Sequence, residues 1–120
     1  MADTPRPDPI ADALAEAQPL IADRGWAAPS AAAIEEARRL LVLVAPGARA
    51  PTVQVAPGGR LDFEWEAAGH GWLRLTVDGS GRLAHEAVIG EDEFGQSEPF
   101  ESELPGWAGT LLARLMAVGH

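Results

Sequence analysis

The chain has 120 residues, with nine arginines and no lysine, eighteen acids, no cysteine and a formal net charge of −9. The missing cysteines exclude disulfides, thiolate metal sites and cysteine nucleophiles. An acidic surface opposes direct binding of nucleic acid or of an anionic membrane, because both are held by Lys and Arg.

Residues 1–8 read as a flexible N-terminal tail, with acids and prolines where a secretory leader has a basic start and an apolar run. A cytoplasmic protein is the expectation, since no stretch approaches the length of a membrane span. Residues 9–120 are long enough for one core and read as a single α+β domain.

Asp8 and Pro9 make a helix start, with Asp8 as N-cap and Pro9 at the first helical position. Ile10, Leu14, Ala17 and Ile21 share a helical face, and Pro19 is expected to end or kink the segment. A second helix opens at Pro29-Ser30, with Ser30 as N-cap and Ile34, Ala37, Leu41 and Val44 as its buried stripe, and Pro46-Gly47 closes it.

From Pro51 the period changes to two, and four strands follow. Val53 and Val55 mark the first, and Pro57-Gly58-Gly59 ends it. In the second, Leu61, Phe63 and Trp65 point one way while Asp62, Glu64 and Glu66 point the other. Leu73, Leu75 and Val77 form the inner side of the third, leaving Trp72, Arg74 and Thr76 on the acidic side. Asp78-Gly79-Ser80-Gly81 is a tight turn, and Leu83, His85, Ala87 and Ile89 form the fourth strand. Such short loops join antiparallel neighbours, so a meander is expected. Residues 90–103 read as a loop or irregular edge segment, rich in acid. Trp107, Leu111, Leu112, Leu115 and Met116 then lie in a terminal helix opened near Pro105. The whole is two N-terminal helices, a four-stranded antiparallel meander and a C-terminal helix packed on one sheet face.

The charge is uneven: residues 61–120 hold eleven acids and three arginines, against seven and six in the first sixty. Two groups produce it, the strand comb Asp62, Glu64 and Glu66, and the run Glu91, Asp92, Glu93, Glu98, Glu101 and Glu103, which has no base between its members. Carboxylates two apart on a strand lie about 7 Å from one another, close to the phosphate spacing along a DNA strand. They suit a surface that competes with nucleic acid for a basic protein. The opposing reading is a solvated face that discourages aggregation, with Arg74 pairing across the strands to Glu64.

Trp72, set among these acids, has the composition of an interface anchor, whereas Trp26, Trp65 and Trp107 read as core. His70, His85 and His120 are scattered, and His85 reads as structural. No phosphate loop, EF-hand spacing or nucleophile-base arrangement is present. No catalytic residue, cofactor or metal is expected.

The order of Trp26, Pro29-Ser30 before a helix with Ala37-Arg38-Arg39-Leu40-Leu41, Pro51-Thr52-Val53, Gly59, Phe63-Glu64-Trp65 and Gly81-Arg82-Leu83 resembles small bacterial and phage proteins. These have a Trp-containing turn, a Pro-started helix and a strand ending in Glu-Trp. The Asp-Gly-Tyr-Gly stretch usual after their tryptophan is missing here. The resemblance implies an α+β fold and a bacterial or mobile-element origin, and attaches no activity.

The functional expectation is a non-enzymatic acidic interaction protein that binds and inhibits a basic, nucleic-acid-handling partner, in the manner of an anti-CRISPR or DNA-mimic inhibitor. Asp62, Glu64, Glu66, Trp72, Glu91, Asp92, Glu93 and Glu98 are its expected partner-binding residues. The alternatives are an antitoxin or immunity protein neutralising a nuclease, and a small carboxylate-based metal-binding domain.

Overall fold

A computed structural model describes residues 8–44, 51–67, 69, 71–100 and 106–118. Three helices, α1 (Pro9–Arg24), α2 (Ala31–Val44) and α3 (Gly106–Val118), accompany five strands: β1 (Thr52–Ala56), β2 (Arg60–Ala67), β3 (Gly71–Val77), β4 (Arg82–Ile89) and β5 (Asp92–Pro99). The strands form one antiparallel sheet in chain order, β1-β2-β3-β4-β5. The α+β class and the helix placement agree with the sequence reading.

The fifth strand is the main correction. Residues 92–99 are neither a loop nor an irregular edge segment but a regular edge strand, paired along β4 from Arg82↔Pro99 to Ile89↔Asp92. Gly90-Glu91 is the two-residue connection, with glycine in its first place as tight hairpins prefer. The sequence of β5 lacks hydrophobic alternation because it is an edge strand, where charge and proline deter further pairing.

Helix α1 also differs from expectation, continuing through Pro19 to Arg24. Pro19 is exposed and removes one backbone N–H from the helix ladder, while caps at both ends hold the helix. The Asp8 carboxylate accepts from the Ile10 and Ala11 N–H groups at 3.2 and 3.0 Å, and the N–H of Gly25 bonds back to the Leu20 carbonyl. These two backbone bonds and Arg38, with the Ala11 bond foremost, hold the Asp8 carboxyl below the usual range.

Ser30 caps α2 as expected, its Oγ accepting from the Ala33 N–H at 3.1 Å. The buried stripe is rotated from the expected one. Ala33, Glu36, Ala37, Leu40 and Val44 are buried, while Ile34 and Leu41 are half-buried. In α1 the buried residues are Ile10, Ala13 and Ala17, and Leu14 is half-buried. Alanines on the inner faces of both helices let their backbones approach the sheet closely. Pro46-Gly47 and Pro105 lie outside the described residues.

One hydrophobic cluster joins the three helices to one face of the sheet. Val53 and Val55, Leu61, Phe63 and Trp65, Leu73, Leu75 and Val77, and Leu83, Ala87 and Ile89 project into it. Phe100, Leu111, Leu112 and Leu115 close it. Each large side chain removed from water contributes about 1.5–3 kcal/mol. Trp65 is core as read, whereas Trp26 and Trp107 are only half-buried.

Glycine is required where β3 begins. Gly71 has φ +151°, and a Cβ there would lie 2.1 Å from the Val88 carbonyl oxygen. No helix among the described residues is long and apolar enough to cross a membrane.

Candidate functional site

The face opposite the helices is set by the sheet register. Cross-strand partners share a face, so three rows can be followed: Gln54, Asp62, Thr76, Ala84 and Ser97; Thr52, Glu64, Arg74, Glu86 and Gly95; and Glu66, Trp72, Val88 and Glu93. Arg60 and Arg82 extend the same alternation. Among the described residues this face therefore presents five carboxylates, Asp62, Glu64, Glu66, Glu86 and Glu93, and three guanidiniums.

The comb Asp62, Glu64 and Glu66 is thus on the face opposite the helices, and two of its contacts run within the sheet. Glu64 Oε1 accepts from Arg74 Nε at 2.7 Å, the pairing that the solvated-face reading anticipates. Asp62 Oδ1 accepts from the Thr76 hydroxyl at 2.7 Å. Arg74 also lies 3.9 Å from Glu86, a residue the sequence reading did not single out. The Glu64 hydrogen bond, aided by the charges of Glu64, Asp62 and Glu86, pushes the Arg74 pKa up against the opposing effect of burial.

Trp72 lies on the acidic side of β3, as alternation requires, and is half-buried. The Arg74 guanidinium carbon stands 5.5 Å from its ring centroid, within the range of a cation–π contact. Beside them is an open cavity of about 300 Å³ lined by Thr52, Glu64, Trp65, Glu66, Trp72 and Arg74. It lies where β1 begins, opposite Glu64, while β2 runs on to Ala67.

The second acidic group does not act as one surface. Glu91 is in the β4–β5 turn, and Glu93 faces outward with Val88 as its partner. Asp92 and Glu98 belong to the alternate set, on the helix side. Asp92 accepts from Arg114 of α3 at 2.7 Å, and Glu98 accepts from the Trp107 indole N–H. The run has no base between its members, yet these two find partners on α3, because β5 alternates and α3 packs beside it. Glu101 and Glu103 lie outside the described residues.

His85 is 6% exposed, deeper than a half-buried position, and stacks on Trp107 with ring centroids 3.8 Å apart. Its Nδ1 is buried without a hydrogen-bond partner. Burial pushes its pKa down, and the Glu98 charge acts in the opposite direction. Among the described residues no three His, Asp or Glu side chains stand together as a metal-ligand set. The described carboxylates of this segment, Glu91, Asp92, Glu93 and Glu98, are divided between the turn and the two faces of β5 and so lend no support to a metal site there.

Glu36 is a buried polar residue that sequence reasoning also missed. On α2 it is 7% exposed, and its carboxylate accepts from the Gly79 N–H at 2.9 Å and the Gly81 N–H at 2.8 Å. It fastens the β3–β4 turn to the helix bearing it. The only hint in the sequence is a glutamate between the apolar positions Ala33 and Leu40. Comparison with family models, curated proteins and solved structures finds no match to this chain.

Proposed function

We propose that the protein is a non-enzymatic interaction module whose uncovered sheet face binds and blocks a basic surface of a nucleic-acid-handling protein. The supporting observation is the asymmetry of the sheet. All three helices pack on one side, and the other carries Trp72 within a field of five carboxylates and three arginines. A tryptophan supplies contact area, and surplus negative charge steers a basic partner toward it. The concrete form is an inhibitor that takes the place of nucleic acid, of phage or bacterial origin and acting in the cytoplasm.

Asp62, Glu64, Glu66, Trp72 and Glu93 belong to this surface, joined by Glu86. Glu91 stands at its rim. Asp92 and Glu98, turned toward α3, support β5 and do not form part of the contact.

The test is affinity capture from a bacterial lysate with the natural chain, with Asp62→Arg/Glu66→Arg/Glu86→Arg, and with a control reversal of Asp12 and Glu16 on α1. A nucleic-acid-handling partner retained by the natural chain and the control, lost by the sheet variant and released by salt, supports the reading. Long-range steering between exposed charges is largely screened beyond about 8 Å at physiological ionic strength. Capture indifferent to salt and to all three reversals overturns it.

A further inference from the structure

The β3–β4 turn carries a peptide bond with a chemistry of its own. Asp78 is the only aspartate followed by glycine, and the chain has no asparagine. At such a bond the glycine nitrogen, with no side chain beside it to hinder approach, attacks the preceding carboxyl carbon. A C–N bond forms to Asp78 Cγ, the amide proton is lost, and a carboxyl oxygen leaves as water. Water then reopens the cyclic imide at either carbonyl. One opening restores aspartate; the other gives isoaspartate, in which the backbone runs through the side chain and is longer by a methylene. The water released is taken up again, so neither oxidant nor cofactor is needed and the mass is unchanged.

The structure engages both reacting groups elsewhere. Asp78 is exposed, so water reaches its carboxyl. The nitrogen that would attack is tied to α2, because Glu36 Oε1 accepts the Gly79 N–H at 2.9 Å while Oε2 accepts that of Gly81 at 2.8 Å. The turn is also seated closely on the start of that helix: a Cβ at Gly79 would stand 2.8 Å from Ser30 Oγ and 3.0 Å from the Ala33 nitrogen. On the other side of the bond, Asp78 Oδ1 accepts from the Ser80 N–H at 2.9 Å. Hydrogen bonds from Ser80 hold this carboxyl below the usual range and so keep it ionised. An ionised carboxylate is a poor electrophile.

We propose that Asp78-Gly79 is the site at which this protein isomerises with age, and that the Glu36 carboxylate suppresses the reaction for as long as α2 holds the turn. Local opening of the turn, rather than unfolding of the whole chain, then sets the rate. The product cannot return to the clamp unchanged. A backbone lengthened at Asp78 carries the Gly79 and Gly81 N–H groups out of register with the two oxygens of Glu36, so a passing release of the turn becomes a permanent one. This chemistry is independent of whatever the sheet face binds.

The experiment stores the full chain at neutral pH, folded and in guanidinium chloride, and measures isoaspartate by enzymatic methylation and peptide mapping. Glu36→Ala, Glu36→Gln and Leu115→Ala are stored alongside; Leu115 is fully buried on α3, and its truncation is at least as destabilising as loss of the clamp. The denatured chain is expected to form isoaspartate at Asp78, and the folded natural chain to form it far more slowly. Folded Glu36→Ala should accumulate it about tenfold faster than the natural chain, the opening gained on losing one hydrogen bond to a charged acceptor. Glu36→Gln should fall between them and decides the matter if the alanine variant does not fold. Leu115→Ala should stay below Glu36→Ala. Isoaspartate at other positions but not at Asp78 in the denatured chain overturns the site. Equal rates in the natural chain and the folded Glu36 variants overturn the protection, and Leu115→Ala reacting as fast as Glu36→Ala overturns the role of the clamp in favour of global unfolding.

Discussion

The Glu36 carboxylate on α2 accepts the backbone N–H of Gly79, forty-three positions later in the chain, at 2.9 Å. Its other oxygen takes the Gly81 N–H at 2.8 Å, so one side chain holds both ends of the β3–β4 turn. Asp78 reinforces the turn by accepting from the Ser80 N–H at 2.9 Å, and the hydrogen bonds from Ser80 hold its carboxyl below the usual range. Glu36→Ala removes the acceptor for two N–H groups and should cost about 2 kcal/mol. Glu36→Gln keeps one acceptor oxygen and should cost about half as much. Urea midpoints at unchanged m-value check both.

The same docking makes Gly79 irreplaceable in a way that its neighbour is not. It has φ +88°, and a Cβ there would stand 2.8 Å from Ser30 Oγ and 3.0 Å from the Ala33 nitrogen. Gly81 also has a positive φ, yet its Cβ would meet nothing within 4 Å. Gly81→Ala should therefore cost only the backbone term of about 1 kcal/mol. Gly79→Ala should cost clearly more, because the turn must also move off α2. Thermal melts of the two variants side by side test the order.

His85 makes stability depend on pH. Burial lowers its pKa from the ordinary 6.5, so the unfolded chain takes up the proton more readily than the folded one. The stabilisation is full above about pH 6.5 and declines as pH falls through the lower folded value. His85→Phe keeps a ring against Trp107 and removes both the titration and the unpaired Nδ1. Its melting temperature should be flat from about pH 7 to pH 5, where that of the natural chain falls. A parallel decline in both proteins would contradict this assignment.

Arg74→Gln should have little effect on folding. The guanidinium and its Glu64 partner are each more than one-third exposed, and such pairs contribute about 0–1 kcal/mol. The change should instead loosen Trp72, seen as a shift of its indole resonance, and leave Glu64 and Glu86 without a shared cation. A loss of several kcal/mol in chemical denaturation would show that the pair carries the sheet.

Much of the architecture was legible because period and punctuation coincide. Leu61, Phe63 and Trp65 alternate with Asp62, Glu64 and Glu66, and the same rule put Trp72 among the acids. Ser30 before Ala33 and Asp8 before Pro9 marked two helix starts. The fifth strand was hidden because what secures it comes from elsewhere: Arg82 donating to the Ser97 hydroxyl and carbonyl, Arg114 to Asp92, and Trp107 to Glu98. Its only local signal was Gly90-Glu91 after Ile89. Glu36 escaped for a related reason, since helical spacing alone does not reveal that a distant turn will bring two N–H groups to that position. The Arg74–Glu64 pair was foreseen; the third member, Glu86, required the β3–β4 register.

The order of the sheet follows the order of the chain, and this bears on how the molecule assembles. Every strand finds its partner in the segment just before or just after it, so each hairpin closes a short loop at small entropic cost. The sheet's own contacts are local in sequence, a topology associated with rapid folding for a β-rich chain. The contacts of long sequence separation are instead those of the helices with the sheet, such as Glu36 to Gly79.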